Sequence, residues 1–191
     1  MAKSSNRQQV RIISGRYRRR LIQFPDEKQL RPTSDRVRET LFNWLQNDIG
    51  GRRCLDLFAG SGVLGLEAAS RGASEVVLVE QSIVASRAIN EAIRQLDATA
   101  AHCLNQNALD YLKSNETPFD LVFLDPPFAT NLADESVLAL ETGGHLSDNA
   151  LVYLEQPKKS DPLALPKHWN PLKSATAGDV CYTLYSVNQS I

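Results

Sequence analysis

Little in this chain points to a covalent staple, a leader or a membrane span. Its three cysteines, Cys54, Cys103 and Cys181, are odd in number, far apart and outside any C-x-x-C spacing. That excludes a disulfide framework and suits a reducing compartment. His102, His145 and His168 are equally scattered, so the short-spaced ligand set of a structural zinc site is missing and no metal is expected. Apolar runs such as Leu121–Leu124 are strand-sized, far short of the roughly 18 residues of a membrane helix. The opening Met-Ala-Lys-Ser-Ser-Asn-Arg-Gln-Gln is polar with no apolar stretch behind it, unlike a secretory leader. A cytoplasmic protein with no membrane partner is the expectation. At 191 residues it is long enough to bury a core without staples.

No single sign of charge dominates either: 21 basic and 22 acidic residues leave a net charge of -1. The balance hides a split. Residues 1–38 carry +8 and the remainder -9. A basic arm on an acidic body is how a phosphate-backbone contact reads in sequence. The arginines are interleaved with Ile12, Ile13, Tyr17, Leu21, Ile22 and Phe24, and Gly15 can turn a hairpin between Val10–Ser14 and Arg20–Phe24. The segment therefore reads as a structured basic ribbon rather than a solvated charge run.

Arg31-Pro32-Thr33-Ser34-Asp35 then turns into a helix capped by Ser34 or Asp35, whose stripe is Val37, Leu41, Trp44 and Leu45, with Arg36, Arg38 and Glu39 off it. After Gly50-Gly51, strands at Cys54–Phe58, Glu75–Glu80, Thr99–Leu104, Phe119–Leu124 and Leu151–Glu155 alternate with helices at Val63–Ser70, Ile83–Leu96, Ala108–Lys113 and Ala133–Leu140. Such alternation predicts a parallel sheet covered on both faces. Trp169–Thr176 and Val180–Val187 flank Ala177-Gly178-Asp179 as an antiparallel hairpin. The proline-rich stretch Pro157–Pro171 between reads as a surface connection. The expected organisation is a basic extension over residues 1–50 and an α/β domain over 51–191.

Two motifs carry chemistry. Asp56-Leu57-Phe58-Ala59-Gly60-Ser61-Gly62-Val63-Leu64-Gly65 takes a strand through a glycine-rich turn into a helix, where the backbone can approach a ligand closely. Glu80 closes the next strand, placed to accept hydrogen bonds from ribose hydroxyls. The glycine spacing by itself fits NAD, FAD and S-adenosylmethionine (SAM) proteins alike. Asp56 tips the balance. A carboxylate repels a pyrophosphate, whereas it can accept from the turn's N–H groups or face an ammonium. Asp-x-Phe-Ala-Gly-Ser-Gly resembles the first motif of SAM-dependent methyltransferases, which implies SAM contacts at Asp56, Phe58, Ala59, Gly60, Gly62 and Glu80. By the same resemblance Asn107, with Ala108, stands where the superfamily often has an Asp that accepts the adenine amino proton.

The second motif, Asp125-Pro126-Pro127-Phe128, follows the Phe119–Leu124 strand. It resembles the Asp/Asn-Pro-Pro-aromatic motif of methyltransferases that modify planar amino or amide nitrogens. Such a nitrogen is a poor nucleophile because its lone pair is delocalised. The Asp125 carboxylate and a carbonyl near Pro126 can hold both its N–H bonds, Pro127 fixes the backbone that aims that carbonyl, and Phe128 offers a stacking face for an extruded base.

Arg11-Ile12-Ile13-Ser14-Gly15-Arg16-Tyr17-Arg18 and Leu30-Arg31-Pro32-Thr33-Ser34-Asp35-Arg36-Val37-Arg38-Glu39-Thr40-Leu41-Phe42-Asn43-Trp44-Leu45 narrow the resemblance further. With the two motifs, they resemble the bacterial small-subunit ribosomal RNA guanine-N2 methyltransferase family from about Val10 to Glu155. The resemblance implies a class I, Rossmann-like SAM-dependent fold: a mostly parallel seven-stranded sheet with a C-terminal antiparallel hairpin. It also implies a monomer that methylates one guanine amino group of 16S rRNA in the assembled or assembling 30S subunit. The RNA contacts would be Arg16, Arg18, Arg31, Arg36 and Arg38, the last three lining the entrance. The family usually has a glycine where this chain has Arg19, so a different hairpin turn is expected. Three rivals stand beside this reading: another amino-methyltransferase acting on DNA adenine or cytosine, a non-catalytic SAM-fold RNA-binding protein, and an NAD oxidoreductase.

Overall fold

The computed structural model describes residues 7–26, 33–128, 130–161 and 163–188. Arg31, one of the expected RNA contacts, lies outside the described residues.

The ribbon forms as a two-stranded antiparallel sheet, β1 (Arg7–Arg11) against β2 (Leu21–Pro25), with Val10 opposite Ile22. Val10, Ile12, Ile22 and Phe24 point inward and are buried, while the intervening residues face out, the period-2 signature of a half-buried strand. The turn between the strands is not free-standing. Gly15 sits at φ +79°, and a Cβ there would lie 1.9 Å from the Ser70 carbonyl oxygen, so only glycine permits the approach. Arg19 occupies a left-handed conformation at φ +68°, the position for which the family resemblance suggested glycine.

Helix α1 (Asp35–Trp44) is capped by Ser34, whose Oγ accepts from the Val37 N–H. Beyond it lie β3 (Arg53–Asp56), α2 (Val63–Ser70), β4 (Glu75–Glu80), α3 (Ile83–Leu96), β5 (Ala101–Asn105), α4 (Ala108–Ser114), β6 (Phe119–Leu124), α5 (Leu132–Thr142), β7 (Leu146–Pro157), β8 (Trp169–Ala177) and β9 (Val180–Val187). The main sheet has the order β5-β4-β3-β6-β7-β9-β8, parallel from β5 to β7 and antiparallel over the last two strands. This is the expected seven-stranded sheet with a C-terminal hairpin. After β3 the chain builds outward through β4 and β5, then returns to place β6 on β3's other side. The carboxyl ends of β3 and β6 therefore flank the switch point, where open α/β sheets bind ligands.

Both sheet faces are covered, and alternate strand residues go to opposite sides. Cys54, Val76, Leu78, Leu121 and Phe123 pack beneath the ribbon, α1, α2 and α3. Leu55, Val77, Val79, Val122 and Leu124 pack with residues of α4 and α5. The first core is continuous across residue 50, since Ile12, Phe24 and Phe42 belong to it as fully as Phe123 does.

Two local expectations need correction. Strand β7 starts at Leu146, five residues before the expected Leu151, because Ser147-Asp148-Asn149 breaks the apolar run at an irregularity where Asn149 has φ +60°. Arg38, placed off the packed stripe of α1 and assigned to phosphate, is fully buried. Its guanidinium donates to the Thr33 and Arg11 carbonyls and to Asp35, and it lies 3.8 Å from Glu67. With those donors spent inside the fold, Arg38 is a structural tie between α1, β1 and α2.

Glu67 is the other half of that tie. It is buried in α2 and accepts from the Ile13 and Ser14 N–H groups as well as from Arg71. The Ser70 hydroxyl continues the seat, accepting from Tyr17 N–H while donating to the Ser14 carbonyl. An acid on an otherwise apolar, fully buried helix is tolerable only with such partners.

Candidate active site

A cavity of about 900 Å³ opens at the carboxyl ends of β3 and β6. The glycine turn after β3, the end of β4 and the start of α4 form one side. The Asp125–Phe128 loop, Thr33, Ser34, Val37, Glu155 and the β8–β9 turn form the other. Of the expected site residues, Asp56, Phe58, Ala59, Gly60, Glu80, Asn107, Ala108, Asp125, Pro126, Pro127 and Phe128 all line it, although they span more than 70 residues of sequence. Gly62 does not face the cavity but starts α2 at φ +76°, a left-handed position that turns the chain into the helix.

The glycine turn is fastened by acids. Asp56 is buried and its Oδ2 accepts from the Gly65 N–H at 2.9 Å. Of the two roles open to it, the backbone contact is thus filled. Burial raises its pKa to about 7, an effect that the Gly65 hydrogen bond offsets only in part and that Asp125 and Glu80 reinforce. Glu80 accepts from Gly60 N–H through one oxygen and from Ser82 N–H through the other, tying the turn to the end of β4.

Asn107 departs from its expected role as an acceptor. It is the N-cap of α4, and its Oδ1 accepts from the Leu109 and Asp110 N–H groups at 2.9 and 3.4 Å. Both lone pairs of that oxygen are in use, so what it offers the cavity is its amide N–H₂.

Across the cavity, Asp125 follows β6. Burial lifts its carboxyl above the ordinary range, against the pull of the Thr33 hydroxyl, which donates to Oδ2 at 3.5 Å. Pro126 is buried, while Pro127 and Phe128 are exposed at the mouth, leaving an aromatic face open to whatever enters. Beside Asp125 stands a carboxylate that sequence reading did not assign. Glu155 is buried, its Oε1 accepts from the Tyr153 hydroxyl at 2.7 Å, and burial and then Asp125 raise its pKa. The available signal was an acid closing an apolar strand, the signal that had served for Glu80. Thr33, Ser34 and Asp179 also line the cavity without having been singled out.

Its acidic side chains are Asp56, Glu80, Asp125, Glu155 and Asp179, and no Lys, Arg or His lines it among the described residues. Such a lining suits a cationic or N–H-rich ligand and opposes a phosphate. That fits SAM, whose sulfonium and ammonium groups are cationic, and disfavours a dinucleotide. No metal-ligating cluster occurs among the described residues.

The arginines lie elsewhere. Arg36 is exposed on the first turn of α1, whose Ser34 and Val37 reach the cavity. Arg16 and Arg18 are exposed on the ribbon turn, which docks on Ser70 at the far end of α2. That end is roughly 12 Å, one eight-residue helix, from the glycine turn. Arg20 reaches the Gln95 carbonyl near the end of α3, and Arg16 is 3.8 Å from Asp97.

The family model described as Conserved hypothetical protein 95 matches residues 10–186. Ribosomal RNA small subunit methyltransferase D of Escherichia coli strain K12 is 44% identical over 177 residues, spanning 93% of this chain and 89% of its own length. The Haemophilus influenzae protein of the same name is 44% identical over 181 residues, spanning 93% of each. The solved structure of Escherichia coli protein yhhF matches with a TM-score of 0.90 at 40% identity, over 96% of this chain and 100% of that one.

Proposed function

Because the chain belongs to the ribosomal RNA small subunit methyltransferase D family, we propose that this SAM-dependent methyltransferase methylates the 2-amino group of one guanine in 16S rRNA. The observation that carries the reading is the meeting of the glycine turn and Asp125-Pro126-Pro127-Phe128 across one acid-lined cavity at the switch point of the sheet. In this reading residues 51–191 are the catalytic domain, and residues 1–50 contact RNA through Arg16, Arg18, Arg31 and Arg36. The enzyme acts as a monomer in the cytoplasm on the assembled or assembling 30S subunit, which presents the nucleotide that so small a chain could not select unaided.

SAM would be held by Asp56, Glu80 and the Phe58–Gly62 turn, with Asn107 and Ala108 at the adenine end, and supplies a methyl carbon already activated by its sulfonium. The protein's part is positioning. Asp125 accepts one N–H of the guanine amino group and the Pro126 carbonyl the other, which fixes the nitrogen for in-line attack. Phe128 stacks on the extruded base, displacing water from one of its faces. As the nitrogen takes the methyl group and gains positive charge, Asp125, whose desolvated setting favours protonation, takes its proton.

The test is incubation with methyl-labelled SAM and unmethylated 30S subunits, naked 16S rRNA or duplex DNA, followed by identification of the labelled nucleoside. Label in N2-methylguanosine from subunits is the expected result. Label in N6-methyladenine, or label from DNA alone, overturns the substrate assignment.

A further inference from the structure

The pocket holds two acids that the methyl transfer just described does not use: Asp179, exposed on the β8–β9 turn, and Glu155, which is buried. Strands β6 and β7 run parallel with Leu124 opposite Leu154, so Asp125 and Glu155 are the next residues on each and stand side by side where the two strands enter the cavity. Glu155 is 5% exposed, and no Lys, Arg or His among the described residues lines the cavity to neutralise it. Its near neighbours on the strands packed against it are Asp125, Tyr153 and Tyr182, and the Thr33 hydroxyl faces both it and Asp125. One hydroxyl hydrogen cannot satisfy two carboxylates at once. The Tyr153 hydroxyl holds Oε1 and so orients the group. A buried carboxylate pair in this state calls for N–H donors from a ligand.

We propose that Glu155 is the specificity-determining residue of the base pocket, accepting the ring N1–H of guanine while Asp125 and the Pro126 carbonyl hold the adjacent 2-amino group. The inference rests on the function proposed above and deepens it. The chemistry of the bases supplies the match. Guanine presents three N–H bonds in a row, two on the exocyclic nitrogen and one on N1, to a row of two carboxylates and a carbonyl. Adenine and cytosine each present an amino group beside a bare ring nitrogen, whose lone pair would face an ionised Glu155. A site built to accept a hydrogen bond rejects an analogue lacking the donor far more strongly than an apolar pocket rejects a misfit. In the free enzyme burial raises both carboxyls, and any proton the pair holds passes to water as the base's N–H donors take its place.

2-Aminopurine separates this role from the general one. It keeps the amino group to be methylated and lacks the N1–H. Small subunits are reconstituted with 16S rRNA carrying either guanine or 2-aminopurine at the nucleotide that wild-type enzyme labels, and kcat/KM is measured for both. Wild-type enzyme should favour guanine by on the order of 100-fold or more. Glu155→Gln, which can present an amide N–H to the bare nitrogen, should bring the ratio within about tenfold by losing rate on guanine and gaining it on 2-aminopurine. A purely structural role would lower both rates together and leave the ratio unmoved. Equal wild-type rates on the two bases would overturn the inference without any variant. A folded Glu155→Gln that keeps the full preference would also overturn it, by assigning N1–H to another group. Should Glu155→Gln not fold, Glu155→Asp keeps the charge and withdraws the acceptor by one methylene, and an unchanged ratio in that variant would count equally against it. A wild-type enzyme that methylates guanine N2 keeps the proposed function in every one of these outcomes. One that does not removes that function and this inference together.

Discussion

The cavity and the outer face of the N-terminal ribbon divide the chain's charge between them. Inside, every ionisable side chain on the wall among the described residues is an acid, with Asp56 and Glu155 buried and Asp125 half-buried. Outside, Arg11, Arg16, Arg18, Arg19, Arg20 and Arg36 are exposed. A nucleotide is itself divided in this way, with a polyanionic backbone and a base edge rich in N–H donors. Phosphate contacts set register while base contacts specify, and on the proposed function the two tasks fall to regions of opposite sign. An acid-lined pocket disfavours phosphate and suits an N–H-rich base edge. Among the described residues, the one carboxylate within ion-pair reach of these arginines is Asp97, 3.8 Å from Arg16. Arg38 and Glu67 join the two regions, because the pair seats the ribbon on the helix that begins at the glycine turn.

The sharpest way to break the comparison is inside the cavity. Asp125→Ala should lower methyl transfer by roughly 10³-fold, the scale for removing a group that polarises the reacting atoms. SAM affinity and thermal stability should stay near wild type, as read by calorimetry. Transfer within tenfold of wild type would mean that the acid wall is not where the chemistry happens.

The joint between the regions should show the largest effect on stability. Glu67→Ala leaves the Ile13 and Ser14 N–H groups without their acceptor and the buried Arg38 guanidinium without its buried counter-charge. Breaking a buried pair on one side typically costs about 3–5 kcal/mol. A loss of unfolding free energy in denaturant melts of less than a fifth of that would show that water replaces the carboxylate. Arg38→Ala should behave likewise, whereas Arg36→Ala, two residues away on the exposed side of α1, should leave the midpoint unchanged.

On the outside, the arginines should act through salt alone. Replacing Arg16, Arg18 and Arg36 together by Ala should weaken binding to subunits and reduce the slope of log K against log salt by about 2, at roughly 0.7–0.9 for each phosphate left unneutralised. Rates at saturating subunit concentration should change little. An unchanged salt slope would assign the phosphate contacts to another face.

The difference between the two regions also marks what the sequence made legible. The glycine turn and Asp125–Phe128 each lie within one contiguous stretch, and their roles follow from local backbone geometry, so both could be read in one dimension. Strand alternation placed the motifs at the same end of the sheet for the same reason. Glu155 was visible only as the acid closing a strand, since its meaning depends on β7 pairing beside β6, a contact made across 30 residues. Arg38 was misread because an apolar stripe cannot reveal a long side chain that buries its stem and finds backbone carbonyls at its tip. Its partner left a trace, an acid at position 67 in a helix otherwise without charge. Asn107 lines the cavity, but its oxygen is claimed by helix capping, a role that depends on where α4 begins.

A titration separates inside from outside. The buried Asp56 carboxyl has its pKa raised from 3.8 to about 7. Between those values the folded chain holds a proton that the unfolded chain has released, so stability is greatest at the acid side and falls as pH rises through 7. Asp125 and Glu155, raised by burial, push in the same direction. Asp120, whose burial is outweighed by hydrogen bonds from the Arg53 N–H and Ser147 and by the Arg52 and Arg53 charges, pushes the opposite way, and only at lower pH. The melting temperature of the ligand-free protein should therefore be lower at pH 8 than at pH 5, since each pH unit by which folding raises a carboxyl's pKa is worth about 1.4 kcal/mol. Asp56→Asn should flatten the profile by its share. The Arg16, Arg18 and Arg36 replacement should leave it parallel to wild type, since guanidinium groups do not titrate in this range. An Asp56→Asn profile parallel to wild type would mean that the acid at the glycine turn is already ionised in the free protein. The cavity would then meet a cationic ligand with its charge in place rather than by giving up a proton.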